Sequence, residues 1–176
     1  MVYYTDDKIT VRDMDERDPE VFAEGERAQG WEADESKLRK RLEERAEGRA
    51  ICLAADFCGE PAGYVSVYPK YEHGAFAGRL PMIVDFAVLE KFRRRGVGGK
   101  LMDVAEDIAG RYSDEVGLGV GLNPGYGSAQ RMYCKRGYLP DGSGVWYRNS
   151  VLGEYESCCN DDDLVLYFSK KLGGKP

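Results

Sequence analysis

Residues 82–108, "MIVDFAVLEKFRRRGVGGKLMDVAEDI", constrain the fold more than any other stretch of the chain. "MIVDFAVL" is a nearly continuous apolar run, the pattern of a central strand covered on both faces. Leu101, Val104, Ala105 and Ile108 then recur at helical spacing on one face. Between the two lie Arg93, Arg94 and Arg95, then Gly96, Gly98 and Gly99. A strand that runs through glycines into a helix exposes the helix's first amides, which have no intrahelical partner. The helix dipole adds about half a positive charge at that end. Glycine removes the side chains that would keep an anion from those amides. The corner is therefore a candidate anion site.

Two phosphate loops are excluded by position. A P-loop needs GxxxxGK[ST], but Gly99–Lys100 is followed by Leu101, and Arg94 stands where the first glycine belongs. A dinucleotide fingerprint needs GxGxxG. Gly96 and Gly98 fit, but the third place is Leu101, on the core-facing stripe. The second glycine cluster, Gly117, Gly119 and Gly121, fails because Pro124 takes the third place. A general nucleic-acid binder needs a broad basic face, which a net charge of −6 argues against. No apolar run approaches the ~20 residues that span a bilayer. The N-terminus lacks a basic-then-apolar leader, so a cytoplasmic location is expected. The five cysteines show no CxxC spacing and His73 is the only histidine, so no metal site is expected.

Along the chain, "KITVRDM" (8–14) alternates like a strand. "DPEVFAEGERAQ" opens a helix, with Asp18 as its cap and Pro19 at its first position. Residues 34–48 are strongly charged and helical, and Gly48 is suited to ending that helix. Residues 49–57 and 62–68 read as a hairpin. A loop of about a dozen residues precedes the central strand. "EVGLGVGLN" (115–123) is a glycine-rich strand. "SAQRMYCKRGY" (128–138) is a short helix capped by Ser128 and ended by Gly137, and 144–151 and 163–172 are closing strands. The order β-α-α-β-β-β-α-β-α-β-β describes one α+β domain, residues 1–176, around a mixed central sheet of about seven strands flanked by helices.

Arg93, Gly96 and Gly98 form RxxGxG between a strand and an amphipathic helix. With "IVDFAVLEKFRRRGVGGKLM" around it, this segment resembles the GNAT superfamily of N-acetyltransferases, whose [QR]xxGx[GA] turn cradles the pyrophosphate of acetyl-coenzyme A. "AQRMYCKRGY" resembles the same family's helix near the cofactor's thiol end, and the element order agrees over roughly residues 8–170.

The resemblance implies acetyl-coenzyme A as cofactor and direct transfer of an acetyl group to a primary amine. The acceptor would be a small molecule, expected to be cationic, or a peptide. By the same resemblance Phe86, Ala87 and Val88 present their backbone to the pantetheine arm, where an N–H can stabilise a developing oxyanion. Arg93, Arg94, Arg95, Gly96, Val97, Gly98, Gly99 and Lys100 hold the pyrophosphate. Tyr133 sits at the motif's tyrosine and would donate a proton to the departing thiolate. Asn123 stands ten residues before Tyr133, further than the family's asparagine, because "PGYG" enlarges the loop; it is nonetheless a candidate cofactor contact.

Asp85 is the one carboxylate on the central strand, and so a candidate general base or a structural hydrogen-bonding group. Glu72, His73 and the acids of 154–163 are alternatives for the base. A non-catalytic acyl-coenzyme A sensor of the same fold is the competing function. Strand exchange or edge pairing offers a route to a homodimer.

Overall fold

The computed structural model describes residues 1–173; the expected domain runs to 176, and residues 174–176 lie outside the described ones. The elements follow the order β1 (Val2–Thr5), β2 (Ile9–Asp13), α1 (Asp18–Ala28), α2 (Glu35–Ala46), β3 (Ile51–Phe57), β4 (Glu60–Tyr68), β5 (Met82–Val88), α3 (Val97–Ala109), β6 (Glu115–Gly121), α4 (Gly127–Lys135), β7 (Leu139–Tyr147), β8 (Ser150–Val151) and β9 (Leu164–Lys171). The α+β class holds, with nine strands among the described residues in place of about seven. The additions are β1 and β8. Arg148 (φ 49°) and Asn149 (φ 64°) form a tight left-handed turn that folds the expected strand 144–151 back on itself, pairing Trp146 with Val151.

The described residues form two compact units. The first comprises Met1–Tyr68 and Val84–Ile108; the second comprises Pro69–Ile83 and the residues from Ala109 onward.

In the first unit the strands lie in the order β1-β2-β3-β4-β5. β1 to β4 are antiparallel neighbours, with Thr5 opposite Thr10, Val11 opposite Ala55 and Leu53 opposite Val65. Cys58 (φ 51°) and Gly59 (φ 84°) make the two-residue turn between β3 and β4. Val11, Phe22, Leu53, Val65 and Leu101 fill the core. On α1, Phe22 packs its ring 5.0 Å from that of Tyr64.

Asp18 departs from expectation. Arg17 holds the cap position of α1 without a side-chain bond. Asp18 is buried instead, its two oxygens accepting from Arg12 Nη1 and Nη2 at 2.7 and 2.9 Å. A bidentate guanidinium pair is stronger than a single neutral amide bond, so Arg12 takes the carboxylate. Gly48 (φ 75°) follows the end of α2, as expected.

In the second unit the order is β5-β6-β9-β7-β8. Met82 and Ile83 of β5 pair in parallel with Gly117 and Leu118, and the full length of β6 pairs antiparallel with β9. The glycines of β6 have a packing reason. A Cβ on Gly117 would lie 2.5 Å from the Phe76 ring, one on Gly119 3.2 Å from Tyr167, and one on Gly121 2.4 Å from Tyr126. Each missing side chain makes room for an aromatic ring. Ser128 does not cap α4. The 3₁₀ turn Pro124–Tyr126 leads directly into the helix, which begins at Gly127 with Tyr126 in the cap position.

Candidate active site

The first unit holds the glycine corner and the last five residues of β5. Met82 and Ile83 are buried, but Val84 to Val88 are each half-buried, where the apolar run implied cover on both faces. Apolarity alone cannot report this: β5 pairs with β6 through Met82 and Ile83, the two residues of the strand that are buried. Asp85 has a φ of 54°, a left-handed conformation rare for a non-glycine residue. At the far end Leu89 N donates to Ala62 O at 2.9 Å.

After β5 the chain turns through Arg94 (φ 58°) and Gly96 (φ 91°) into α3. Lys100 N donates to Gly96 O at 3.1 Å, which closes the first helical turn. The amides of Val97, Gly98 and Gly99 precede it, in the turn that has no carbonyl of its own helix to bond. A Cβ on Gly98 would meet the Phe86 ring at 3.1 Å and Val88 Cγ2 at 3.5 Å, so glycine lets the helix start close against β5. A Cβ on Gly99 would meet nothing within 4 Å. The surface beside Gly99 is open. A pyrophosphate, which needs bare N–H groups and positive charge, fits this cradle.

The cations around it are mostly held. Arg93 bonds Glu90 at 3.2 Å and lies over the Trp31 ring at 5.0 Å. Arg95 lies over Phe57 at 5.3 Å, and Lys100 over Tyr4 at 4.5 Å. Stacking of this kind keeps the charge near the corner while leaving its polar edge available. Arg94 is exposed.

Asp85 meets two cations of α2. Its Oδ2 accepts from Arg41 Nε at 2.6 Å, and its Oδ1 lies 2.6 Å from Lys37 Nζ. Arg41 also bonds Glu44 at 2.9 Å and stands 5.4 Å over the Tyr68 ring. Tyr68 donates its hydroxyl to Glu44. Burial pushes the Glu44 carboxyl up, but the bonds from Tyr68 and Arg41 outweigh it and the group settles below its ordinary value. Burial, and then the bond to Glu44, raise the Tyr68 hydroxyl. Burial opposes the charge on Arg41, yet Asp85 and Glu44 more than offset it and raise its pKa. This network was missed from sequence; its one visible trace was two basic residues at i and i+4 on a helix, a repulsive spacing unless an acid lies across them.

Tyr133 and Asn123 belong to the second unit. Tyr133 is buried on α4, its ring 5.8 Å from that of Tyr138. Burial, with a smaller effect from Tyr126, raises its hydroxyl pKa well above the ordinary phenol, so it holds its proton at neutral pH. Asn123 Oδ1 accepts from Gly125 N at 2.9 Å in its own loop, and its Nδ2 donates to Asp162, in the segment before β9, at 3.4 Å, so both ends of its amide are engaged. Gln130 Nε2 donates to Gly121 O at 2.8 Å and ties α4 to the end of β6. Phe76, Trp146 and Tyr167 stack edge to face, with Tyr167 6.0 Å from Phe76 and 5.4 Å from Trp146.

Of the alternative acids, Glu72 pairs with Lys70 at 3.4 Å and Glu156 accepts from Gly153 N at 2.8 Å. Asp161 accepts from the Tyr147 hydroxyl at 3.3 Å. Among the described residues no group of three or more metal-ligating side chains occurs, and no helix is long and apolar enough to cross a membrane.

The sequence signature of the Acetyltransferase (GNAT) family matches residues 11–138, which contain the corner, β5 and α4. The chain belongs to the GNAT acetyltransferase family. Members of this family use acetyl-coenzyme A. The chain is 27% identical over 143 residues to the uncharacterized N-acetyltransferase YhfO of Bacillus subtilis, covering 81% of this chain and 91% of that one. Its fold is similar to Ard1 from Thermoplasma volcanium, with a TM-score of 0.68 and 22% identity over 94% of this chain and 98% of the other. It is also similar to a RimL ribosomal L7/L12 alpha-N-protein acetyltransferase in complex with coenzyme A, with a TM-score of 0.67 and 12% identity over 99% and 100% of the two chains.

Proposed function

We propose that the chain is an N-acetyltransferase that acetylates the primary amine of a cationic small molecule or a peptide. The observation that carries this reading is the pairing of an open, glycine-lined helix start with a half-uncovered strand in one unit. The amides of Val97, Gly98 and Gly99 would hold the pyrophosphate, with the side chains of Arg93, Arg94, Arg95 and Lys100 adding charge-assisted bonds. The backbone of Phe86, Ala87 and Val88 would bond the pantetheine arm in the manner of an added strand. When bound, acetyl-coenzyme A supplies the acetyl group as an activated thioester.

By the resemblance of its motif, Tyr133 would supply the proton needed at the departing sulfur. Its raised pKa makes it a weaker acid than a free phenol, so it serves best as a hydrogen-bond donor whose proton moves only as negative charge develops. Asp85 adjoins the thioester strand with both oxygens engaged by cations. That geometry favours fixing the strand over relaying a proton.

The acceptor reading rests on charge. Glu154, Glu156 and Asp161 to Asp163 gather in the segment before β9, where they would raise the local concentration of a cation. Similar structures named for acetylation of ribosomal-protein N-termini support a peptide amine as acceptor. The test is release of free thiol from acetyl-coenzyme A against a panel of polyamines, small amines and peptide N-termini. A cationic acceptor should show kcat/KM falling as salt rises, and falling less in Asp161→Asn/Asp162→Asn/Asp163→Asn. No thiol release with any amine would refute the enzyme reading. Flat salt profiles in both proteins would refute the cationic one.

A further inference from the structure

Asp85 combines three features rarely found together. It sits within a strand, it has a left-handed φ of 54°, and its side chain is only 9% exposed. An L-residue other than glycine resists that conformation, and it persists only where surrounding contacts over-determine it. The contacts are plain. Arg41 and Lys37, one turn apart on α2, each bond a different oxygen of the carboxylate at 2.6 Å. Arg41 is the fixed arm, anchored by Glu44, while Lys37 is half-exposed. The two cations alone would repel one another along the helix, so the carboxylate between them also stabilises α2.

Resting on the acetyl-coenzyme A reading above, we propose that Arg41 and Lys37 are positioning residues. They hold Asp85 in its left-handed conformation and so turn Phe86, Ala87 and Val88 toward the cofactor. Asp85 is then an anchor for the strand, not the base of the reaction. The residues immediately after a left-handed kink inherit their direction from it, so loosening the clamp re-aims the backbone that bonds the pantetheine arm. The carboxylate matters because it is held, and the conformation matters more than the carboxylate.

Glycine makes the idea testable, because it adopts a positive φ without strain and carries no charge. Acetyl-coenzyme A affinity is measured by calorimetry, with circular dichroism and Tm of the free protein as the check on folding. Lys37→Gln should weaken binding a few-fold, and Arg41→Gln by about tenfold, the cost of a left-handed residue left unsupported. Asp85→Gly should bind acetyl-coenzyme A more tightly than Asp85→Ala, because both lose the carboxylate but only glycine adopts the left-handed conformation without strain. The combination Lys37→Gln/Asp85→Gly should recover what Lys37→Gln loses. Because Arg41→Gln also strips Glu44 of a partner and endangers the fold, the half-exposed Lys37 carries the test independently.

Affinity that does not respond to Lys37→Gln overturns the proposal, and so does a loss that Asp85→Gly fails to rescue. Asp85→Gly that binds normally but loses turnover with every amine assigns Asp85 to base catalysis and overturns it as well. A wild-type protein with no affinity for acetyl-coenzyme A defeats the cofactor reading itself, and the clamp with it.

Discussion

Gly99→Asp is the most decisive single change to the cofactor site. A Cβ at Gly99 meets nothing within 4 Å, so the side chain enters open space without disturbing packing. In the first turn of α3 a carboxylate interacts favourably with the helix dipole, by about 0.5 kcal/mol, and aspartate is no worse a helix former than glycine. The free protein should therefore melt at or slightly above the wild-type temperature. The same carboxylate would stand against a bound pyrophosphate. Two like charges about 5 Å apart repel by about 3 kcal/mol at an effective dielectric of about 20, or about two powers of ten in Kd. At a ligand concentration of about 100 times the wild-type Kd, wild type gains about 2.7 kcal/mol, and the variant retains only about 0.4 kcal/mol. Thermal melting with and without acetyl-coenzyme A reads both numbers. Gly98→Asp is a poorer test, because its Cβ presses on Phe86 at 3.1 Å. A Gly99→Asp protein that folds normally and keeps the full ligand shift would refute binding at this corner.

Other expectations follow from the same geometry. Tyr133→Phe should leave acetyl-coenzyme A affinity unchanged while kcat falls about 10²-fold; single-turnover kinetics with full activity would reduce Tyr133 to a packing residue. Gly121→Ala places a methyl group 2.4 Å from the Tyr126 ring, so denaturant melts should show a loss of about 1–3 kcal/mol. Burial raises the hydroxyls of Tyr68, Tyr133 and Tyr167 in the folded chain, whereas the unfolded chain ionises near an ordinary pKa of about 10. The folded state then binds more protons above that pH, so stability should be level below about pH 10 and fall as pH rises beyond it. An alkaline melt series with no downturn there would contradict the burial of these hydroxyls.

The glycine-lined helix start was legible because its cause is local. Three glycines and a helix start within a few residues specify bare amides whatever the rest of the fold does. Tyr133 was legible as part of a motif, but its burial was not, since the ring that packs on it, Tyr138, lies beyond the helix end. The left-handed φ of Asp85 left no sign, because its support comes from Lys37 and Arg41, more than forty positions away. Asp18 misled for a different reason: the spacing suits a cap, but Arg12, six residues earlier on β2, competes for the same oxygens. β1 and β8 were missed because they are short and largely exposed, which leaves them without an apolar pattern. Local chemistry reads well from sequence, and pairings made by the tertiary fold do not.

The chain has two tryptophans, and each compact unit contains one. Trp31 in the first lies under the Arg93 guanidinium, and Trp146 in the second has its indole N–H on Ser143 and its ring edge-on to Tyr167. The protein thus carries a built-in fluorophore for each unit. In Trp146→Phe, the remaining emission comes from beside the glycine corner, where a ligand that draws Arg93 off the ring would change it. In Trp31→Phe, it comes from the aromatic stack of the second unit. Stopped-flow traces of the two single-tryptophan proteins could time cofactor docking and the loosening of either unit separately, without an added label.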